Sequence, residues 1–218
     1  MTKLTTLATI GALLALVGCV NIGDRSERPA VVYYVLDDSR TAPGAVQPGA
    51  AEATSASALP READAVLGPV LLVLDPVVRG FYDTDQLIFS RSAGTRGQYQ
   101  FARWTERPGK RIGDLLRARL EREGSWRVSA GGGYVRGDLL LDTELVELYH
   151  DAAHEPGVAR LVLRASLIDM KARGILARRE FVQAVPLATY DAKGAAEASG
   201  VATAHVLDEL TAWISAFR

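Results

Sequence analysis

Apolar residues in the first half of the chain form short runs separated by turn-forming residues. Residues 31–36 (VVYYVL) and 69–74 (PVLLVL) are rich in β-branched, aromatic and other large apolar side chains, which is typical of buried strands. Two shorter runs, 87–89 and 99–101, flank a glycine-containing segment and predict a β-hairpin. Residues 110–123 then carry apolar positions at helical spacing before Gly124, so a helix is predicted to end there.

The next part of the chain predicts further strands. A strand begins at residues 126–128, and residues 139–149 form a long one. Apolar and polar positions alternate over residues 159–167, which indicates a strand with one face toward solvent. Residues 175–185 are the return strand, and Pro186 is predicted to end it.

The C-terminal residues 191–217 carry an apolar stripe that predicts a long helix. Gly194 and Gly200 weaken its start, so its firm part is predicted to be residues 201–217. Strands in a meander with two helices predict an α+β fold, a single twisted, mostly antiparallel sheet with two main helices packed on one face. The stripe consists of Val206, Leu210, Trp213 and Phe217, with Leu207 and Ile214 beside it.

A segment of different composition interrupts this pattern. Of the 30 residues 37–66, 17 are Ala, Gly, Pro or Ser, and none is aromatic. Such a segment buries too little apolar area to offset the entropy of ordering it. We therefore predict a flexible Ala/Pro/Ser-rich loop at about 37–66 inside a domain of residues 31–218. It is either a surface insertion or a link by which the first strand docks onto a core starting near Leu67.

The first residues have the pattern of a secretory signal. Lys3 precedes an apolar stretch at 4–17 that is short for a membrane-spanning helix. The sequence Leu16-Val17-Gly18-Cys19 resembles a bacterial lipobox, in which the cysteine is acylated and becomes the first residue. Residues 1–18 are then the signal peptide and residues 19–30 an acylated tether. The alternative is an uncleaved N-terminal anchor with a chance cysteine.

Composition narrows the class of protein. Lys and Arg number 25 against 26 Asp and Glu, which gives a formal net charge of −1. This balance argues against a nucleic-acid partner, because such a surface needs a basic stripe. The single cysteine excludes an internal disulfide framework and a CxxC metal site.

Two histidines near a predicted turn are candidate metal ligands. His150 and His154 are spaced to share one face of a helix. Pro156 and Gly157 follow them, so the segment is predicted to be a hairpin tip instead, and we expect no metal and no cofactor.

Other chemistry-bearing residues have simpler interpretations. Ser199, His205 and Asp208 contain the residue types of a hydrolytic triad, but they fall on one predicted helix, and Ser199 lacks a nucleophile-elbow motif. The run Gly131-Gly132-Gly133 precedes a predicted strand rather than a helix, which favours a turn over a phosphate site. No catalytic residue is expected.

The first predicted helix has a basic face. We interpret it as solvated surface balanced by Asp114, Glu121 and Glu123, although it would also suit an acidic partner or anionic headgroups. Just before it, Arg103 adjoins Trp104, and we expect Trp104 to fill the sheet–helix junction while Arg103 faces water. The basic residues are Arg107, Lys110, Arg111, Arg117, Arg119 and Arg122.

An early strand ends Tyr34-Val35-Leu36, a second strand spans 71–75, and the segment 82–88 (YDTDQLI) is followed by the basic Arg91. The segment Phe101-Ala102-Arg103-Trp104 has the form aromatic-x-x-tryptophan, and the helix after it carries Leu116 and Leu120. On these residues the stretch 71–120 resembles the ABC-type transport auxiliary lipoprotein family, which includes the paraquat-inducible lipoprotein, and the resemblance is specific in residues over 82–120. The candidate binding residues from this resemblance and its surroundings are Tyr82, Arg91, Phe101, Arg103 and Trp104.

The resemblance implies a non-catalytic lipoprotein held at the periplasmic face of the outer membrane by palmitate or similar acyl chains on Cys19. Val20, where inner-membrane lipoproteins usually have Asp, favours that membrane. The implied partners are a periplasmic MCE-domain (mammalian-cell-entry) protein and its ABC permease and ATPase, which move lipids between membranes; a homo-oligomer is compatible with this. The alternatives are a lipid-anchored periplasmic hydrolase and a structural envelope lipoprotein without a transporter.

Overall fold

Nine strands of one mixed sheet and two helices make up the part of the chain that the computed structural model describes, residues 29–38, 68–131 and 135–217. The helices are α1, Pro108–Glu123, and α2, Ala192–Ser215, and a short 3-10 turn spans Gly80–Tyr82. The strands are β1 Val32–Tyr34, β2 Val70–Val73, β3 Val77–Val78, β4 Gln86–Ser90, β5 Gly97–Trp104, β6 Arg127–Ala130, β7 Leu139–Asp151, β8 Val158–Asp169 and β9 Gly174–Pro186.

The sheet is organised around the long strand β7. The short strands β2, β3 and β4 pair with it in parallel at successive points along its length, while β8 pairs with it in antiparallel fashion and β9 follows β8. The β4–β5 hairpin is also antiparallel, and β1 and β6 add parallel edges. The α+β prediction is confirmed, with the difference that the sheet is mixed and not purely antiparallel.

The alternation in β8 places its two faces as predicted. Leu161, Leu163 and Leu167 are fully buried, whereas the side chain of Arg164 is about half exposed. Phe181 of β9 lies in the same apolar cluster. Since the buried leucines pack against the helices, β8 carries the centre of the core.

Helix α1 ends as its sequence predicts. Pro108 stands in the first turn, where its missing N–H has no helical partner to lose. Gly124 adopts φ +65°, the left-handed conformation that glycine tolerates best, and its N–H donates to the Glu121 carbonyl. Ile112, Leu116 and Leu120 are buried against the sheet.

Helix α2 differs from the prediction at its start, since it is regular from Ala192 onward. Asp191 caps it by accepting the Gly194 N–H at 2.7 Å, and this bond lowers the pKa of the Asp191 carboxyl. Gly194 is buried, and a Cβ there would lie 2.1 Å from the Thr189 carbonyl oxygen. The cost of glycine in a helix is therefore offset by close packing, and the prediction of a firm part limited to residues 201–217 is wrong.

Strand β1 is also different from the prediction. The run 31–36 was expected to be buried, but Val32 is 48% exposed and Tyr33 59% exposed. The reason is its position, because within the described ranges β1 stands at the end of the strand order and pairs with β5 alone. Within the run, Leu36 alone is fully buried.

Several predictions fall on residues outside the described ranges. These are the signal peptide at 1–18, Cys19, most of the tether at 19–30 and most of the loop at 37–66. Among the described residues, neither helix is long and apolar enough to cross a membrane. The chain divides into the units Met1–Ala30 and Val31–Arg218, and this fold belongs to the second.

Candidate functional site

The five candidate binding residues lie on the β4–β5 hairpin and the turn before it. Tyr82 ends the 3-10 turn, Arg91 follows β4, and the other three lie on β5. The five residues span 23 positions of the sequence, residues 82–104, and all of them belong to this one structural unit.

Arg103 and Trp104 are neighbours with opposite surroundings. Trp104 is 4% exposed and packs in the core, as the packing interpretation predicts. The Arg103 side chain is one-third exposed and donates to both carboxylate oxygens of Asp85, at 3.0 and 3.2 Å. Asp85 thereby fixes the Arg103 guanidinium beside the start of β4.

Tyr82 belongs to a cluster that the sequence analysis did not find. Arg96 donates from Nε to the Tyr82 hydroxyl at 2.8 Å, and its guanidinium carbon lies 3.9 Å from the ring centroid of Tyr149. Burial raises the pKa of the Tyr149 hydroxyl. Arg96 and Tyr149 lie 53 positions apart in the sequence, so no local motif could have joined them.

Acidic residues on β7 extend this cluster across the sheet. Glu147 accepts from Arg160 of β8 at 2.6 Å and lies 3.7 Å from Arg96. Further along β7, Glu144 accepts from Arg164, which also donates to Glu180 of β9. This face of the sheet is therefore covered by cross-strand ion pairs that fix long side chains in one arrangement.

Two candidate residues are available at the surface. Arg91 is exposed, and its guanidinium carbon lies 5.0 Å from the centre of the Phe89 ring. Phe101 is 39% exposed. An exposed aromatic ring and an exposed arginine are residue types enriched in protein interfaces.

His150 is a core residue, and His154 lies in the exposed β7–β8 turn. His150 Nδ1 is 2.8 Å from the Tyr99 hydroxyl, and burial lowers the His150 pKa. Burial also raises the pKa of Tyr99 to about 12. No group of three or more potential metal-ligating side chains occurs in the described ranges.

Ser199, His205 and Asp208, the residues of the triad pattern, differ from one another in partner or exposure. Ser199 donates to the Ala195 carbonyl of its own helix at 2.7 Å, and Asp208 pairs with Arg119. His205 is exposed. Of the glycine run, only Gly131 is described, and a Cβ on it would lie 2.3 Å from Leu74 Cδ2.

The basic face of α1 is largely neutralised by residues from elsewhere in the chain. Arg107 pairs with Asp83, Arg117 with Asp75, and Arg111 with Asp37. Lys110 pairs with Asp114 and lowers the pKa of that carboxyl, as the balance in the sequence predicts. The expectation of solvated surface is wrong for Arg119, whose side chain is 6% exposed because it lies between the helices.

The sequence matches the family of ABC-type transport auxiliary lipoprotein components over residues 50–211. The chain belongs to this family. The match covers the hairpin, α1, the long strands and most of α2, while β1 lies before it. No curated protein matches the chain.

Two solved structures with TM-scores above 0.5 share the fold at low sequence identity, and a third match has a lower TM-score. A Xanthomonas campestris protein of the DUF330 family has a TM-score of 0.62 and 23% identity, over 68% of this chain and 84% of that one. An uncharacterised protein has a TM-score of 0.59 and 12% identity, over 68% and 93% of the two chains. A PelC dodecamer from Paraburkholderia phytofirmans has a TM-score of 0.41 and 12% identity, over 66% and 88%.

Proposed function

We propose that this auxiliary lipoprotein is anchored in the outer membrane through acylated Cys19 and docks a periplasmic MCE-domain protein. That protein would work with an inner-membrane ABC permease and ATPase in lipid transport between the membranes. The observation that carries the proposal is the family match over residues 50–211, together with the lipobox ending at Cys19. A homo-oligomer is part of the proposal, since a ring would match a ring-shaped partner assembly.

The docking role is proposed to be non-catalytic. Two of the three residues of the triad pattern are engaged in structural contacts within the helices. His150 is likewise held in the core by Tyr99. Turnover of an ester, peptide or glycan substrate, abolished by one point substitution in this chain, would instead support the hydrolase alternative.

The β4–β5 hairpin is the proposed contact with the partner. It presents Phe101 and Arg91 at the surface, while Asp85 holds Arg103 and the Arg96 cluster holds Tyr82. Aromatic and arginine side chains that are already fixed lose little conformational entropy on binding.

Pull-down of the full chain from detergent-solubilised membranes tests the proposal. An MCE-domain protein should be recovered with the natural chain, and Phe101→Glu should lower its recovery roughly tenfold, the size expected when an interface aromatic is lost. Val182→Glu is the matched control, since Val182 is 44% exposed on the distant strand β9. Purification of the chain without an MCE-domain protein would refute the partnership and favour a structural envelope lipoprotein.

A further inference from the structure

A large groove lies where β2, the start of β7 and the β8–β9 turn meet, away from the β4–β5 hairpin. Its volume is about 1170 Å³. Leu72, Leu140 and Met170 line it together with Phe217, which follows α2. Small-molecule sites usually measure about 300–1,000 Å³, so this groove has room for a ligand with a long apolar chain.

Strands β2 and β7 form the floor of the groove, and a ligand there would contact their side chains and not pair with their backbones. Strand β2 is paired on one side with β6 and on the other with β7. Strand β7 is paired along the same region with β8. An extended peptide therefore finds no free strand edge on this floor, whereas an alkyl chain needs none.

Trp126 contributes part of the groove wall. The residue is 5% exposed, and its indole Nε1 is itself buried and has no hydrogen-bond partner within the described residues. Because that nitrogen is closed off from the groove, a ligand there meets the ring of Trp126 and not its N–H donor.

The charged residues at the groove give it a positive excess. Arg136, Lys171 and Arg173 line it and form no ion pair within the described residues. The two carboxylates that also line it are occupied by backbone donors: Asp138 accepts the Val70 N–H, and Asp169 accepts those of Lys171 and Ala172. The lining therefore carries three cations against two carboxylates, a formal excess of one positive charge that favours an anionic group.

Arg173 is held in an unfavourable backbone conformation beside the groove. Its φ is +55°, in the left-handed region, and Gly174 follows it. A glycine at position 173 would relieve this strain, so Arg173→Gly is a substitution that the backbone tolerates.

We propose that this groove binds a single-chain amphipathic anion, such as a fatty acid or a lysophospholipid. The alkyl chain lies on the leucines, Met170 and Phe217, beside the ring of Trp126, and the anionic head lies at Lys171 and Arg173. This site goes beyond the docking role, because it requires no partner protein and lies on other strands.

Fluorescence quenching in the full chain, purified in a non-ionic maltoside detergent, tests the site. The probe is dibrominated stearate, whose bromine atoms quench tryptophan emission on contact. Of the three tryptophans in the chain, Trp126 lines the groove. Dibrominated stearate should quench saturably, the dibrominated alcohol of equal length should bind roughly tenfold more weakly, and Trp126→Phe should abolish most of the quenching.

Arg173→Gly separates binding from folding. This variant removes one cation and the strained backbone, so its stability should be equal or higher while stearate binding falls several-fold and alcohol binding stays the same. Arg122→Gln is the matched control, since Arg122 is exposed on α1 away from the groove. A lysophospholipid that displaces the stearate would extend the class to phosphate heads, and inorganic phosphate alone should displace nothing.

Three results would overturn the proposal. They are quenching that never saturates, equal binding of stearate and its alcohol, and displacement by an acidic peptide but not by unlabelled stearate. None of these measurements involves an MCE-domain protein, so failure of the docking proposal and failure of this one are distinguishable.

Discussion

Arg119 of α1 forms an ion pair with Asp38, and the two side chains are 6% and 2% exposed. Arg119 also pairs with Asp208 of α2 and donates to the Ala204 carbonyl at 3.1 Å. The chain segment after β1 is therefore held between both helices. Arg111 adds a second attachment by donating to the Leu36 carbonyl at 2.8 Å.

Arg119→Leu should strongly destabilise the fold. The substitution leaves the Asp38 carboxylate buried without its guanidinium, and breaking a buried pair in this way costs about 3–5 kcal/mol. Urea unfolding measures the change in the free energy of unfolding. Arg122→Leu is the control on the same helix, with an expected change of about 0.5 kcal/mol or less. Equal, small effects of both substitutions would contradict a stabilising role for the buried Arg119–Asp38 ion pair.

Trp213→Ala should loosen the C-terminal helix. Trp213 is partly buried, with its ring 5.9 Å from Phe181 and 5.5 Å from Phe217. The expected loss is about 2–3 kcal/mol, below that of a fully buried tryptophan. Trp213→Phe keeps an aromatic ring against Phe181 and should lose less. A loss near zero for the alanine variant, measured by urea unfolding, would mean that α2 is not docked on β9.

His150 should make the fold less stable in mild acid. Burial lowers its pKa in the native state, so below the unfolded pKa of about 6.5 the unfolded chain binds a proton that the native one resists. Stability is therefore lost as pH falls from about 6.5 toward the native pKa. Urea unfolding midpoints at neutral and mildly acidic pH measure this loss of stability. The loss should be smaller for His150→Gln than for the natural chain. His205→Gln, at an exposed position, should leave the loss unchanged.

Cys19→Ala should prevent acylation while the domain still folds. No diacylglycerol can be attached without the sulfur, so the precursor should remain uncleaved or be mislocalised. Membrane fractionation and mass spectrometry of the natural and variant chains measure this. Outer-membrane partition of the variant through acyl chains would refute the anchor, as would a natural chain that carries no lipid.

The burial of β2 and of one face of β8 could be predicted from the sequence, whereas the exposure of β1 could not. In β8 the apolar and polar positions alternate, and Leu161 and Leu163 are buried as expected. The run 31–36 is uniformly apolar, so its sequence resembles that of the buried strand β2. Its exposure follows from its place at the sheet edge, which depends on pairing with β5 far along the chain.

The candidate site shows the same division. The resemblance selected Tyr82, but its partners Arg96 and Tyr149 come from separate elements that meet only in the folded chain. The helical spacing of polar residues predicted the polar face of α1. Nothing in the local sequence, however, distinguished Arg119 from the exposed Arg122. The difference arises because Asp38 and Asp208 converge on one of them.

The sequence alone determined the α+β class, the hairpin, both helices and the family, because these depend on local spacing, caps and a short motif. The tertiary structure decided which strand forms the edge, which arginine is buried, how Gly194 fits inside a helix and which residues line the groove beside Trp126. These features depend on side chains that are distant in sequence, and their energies come from burial and pairing that exist only once the sheet has formed.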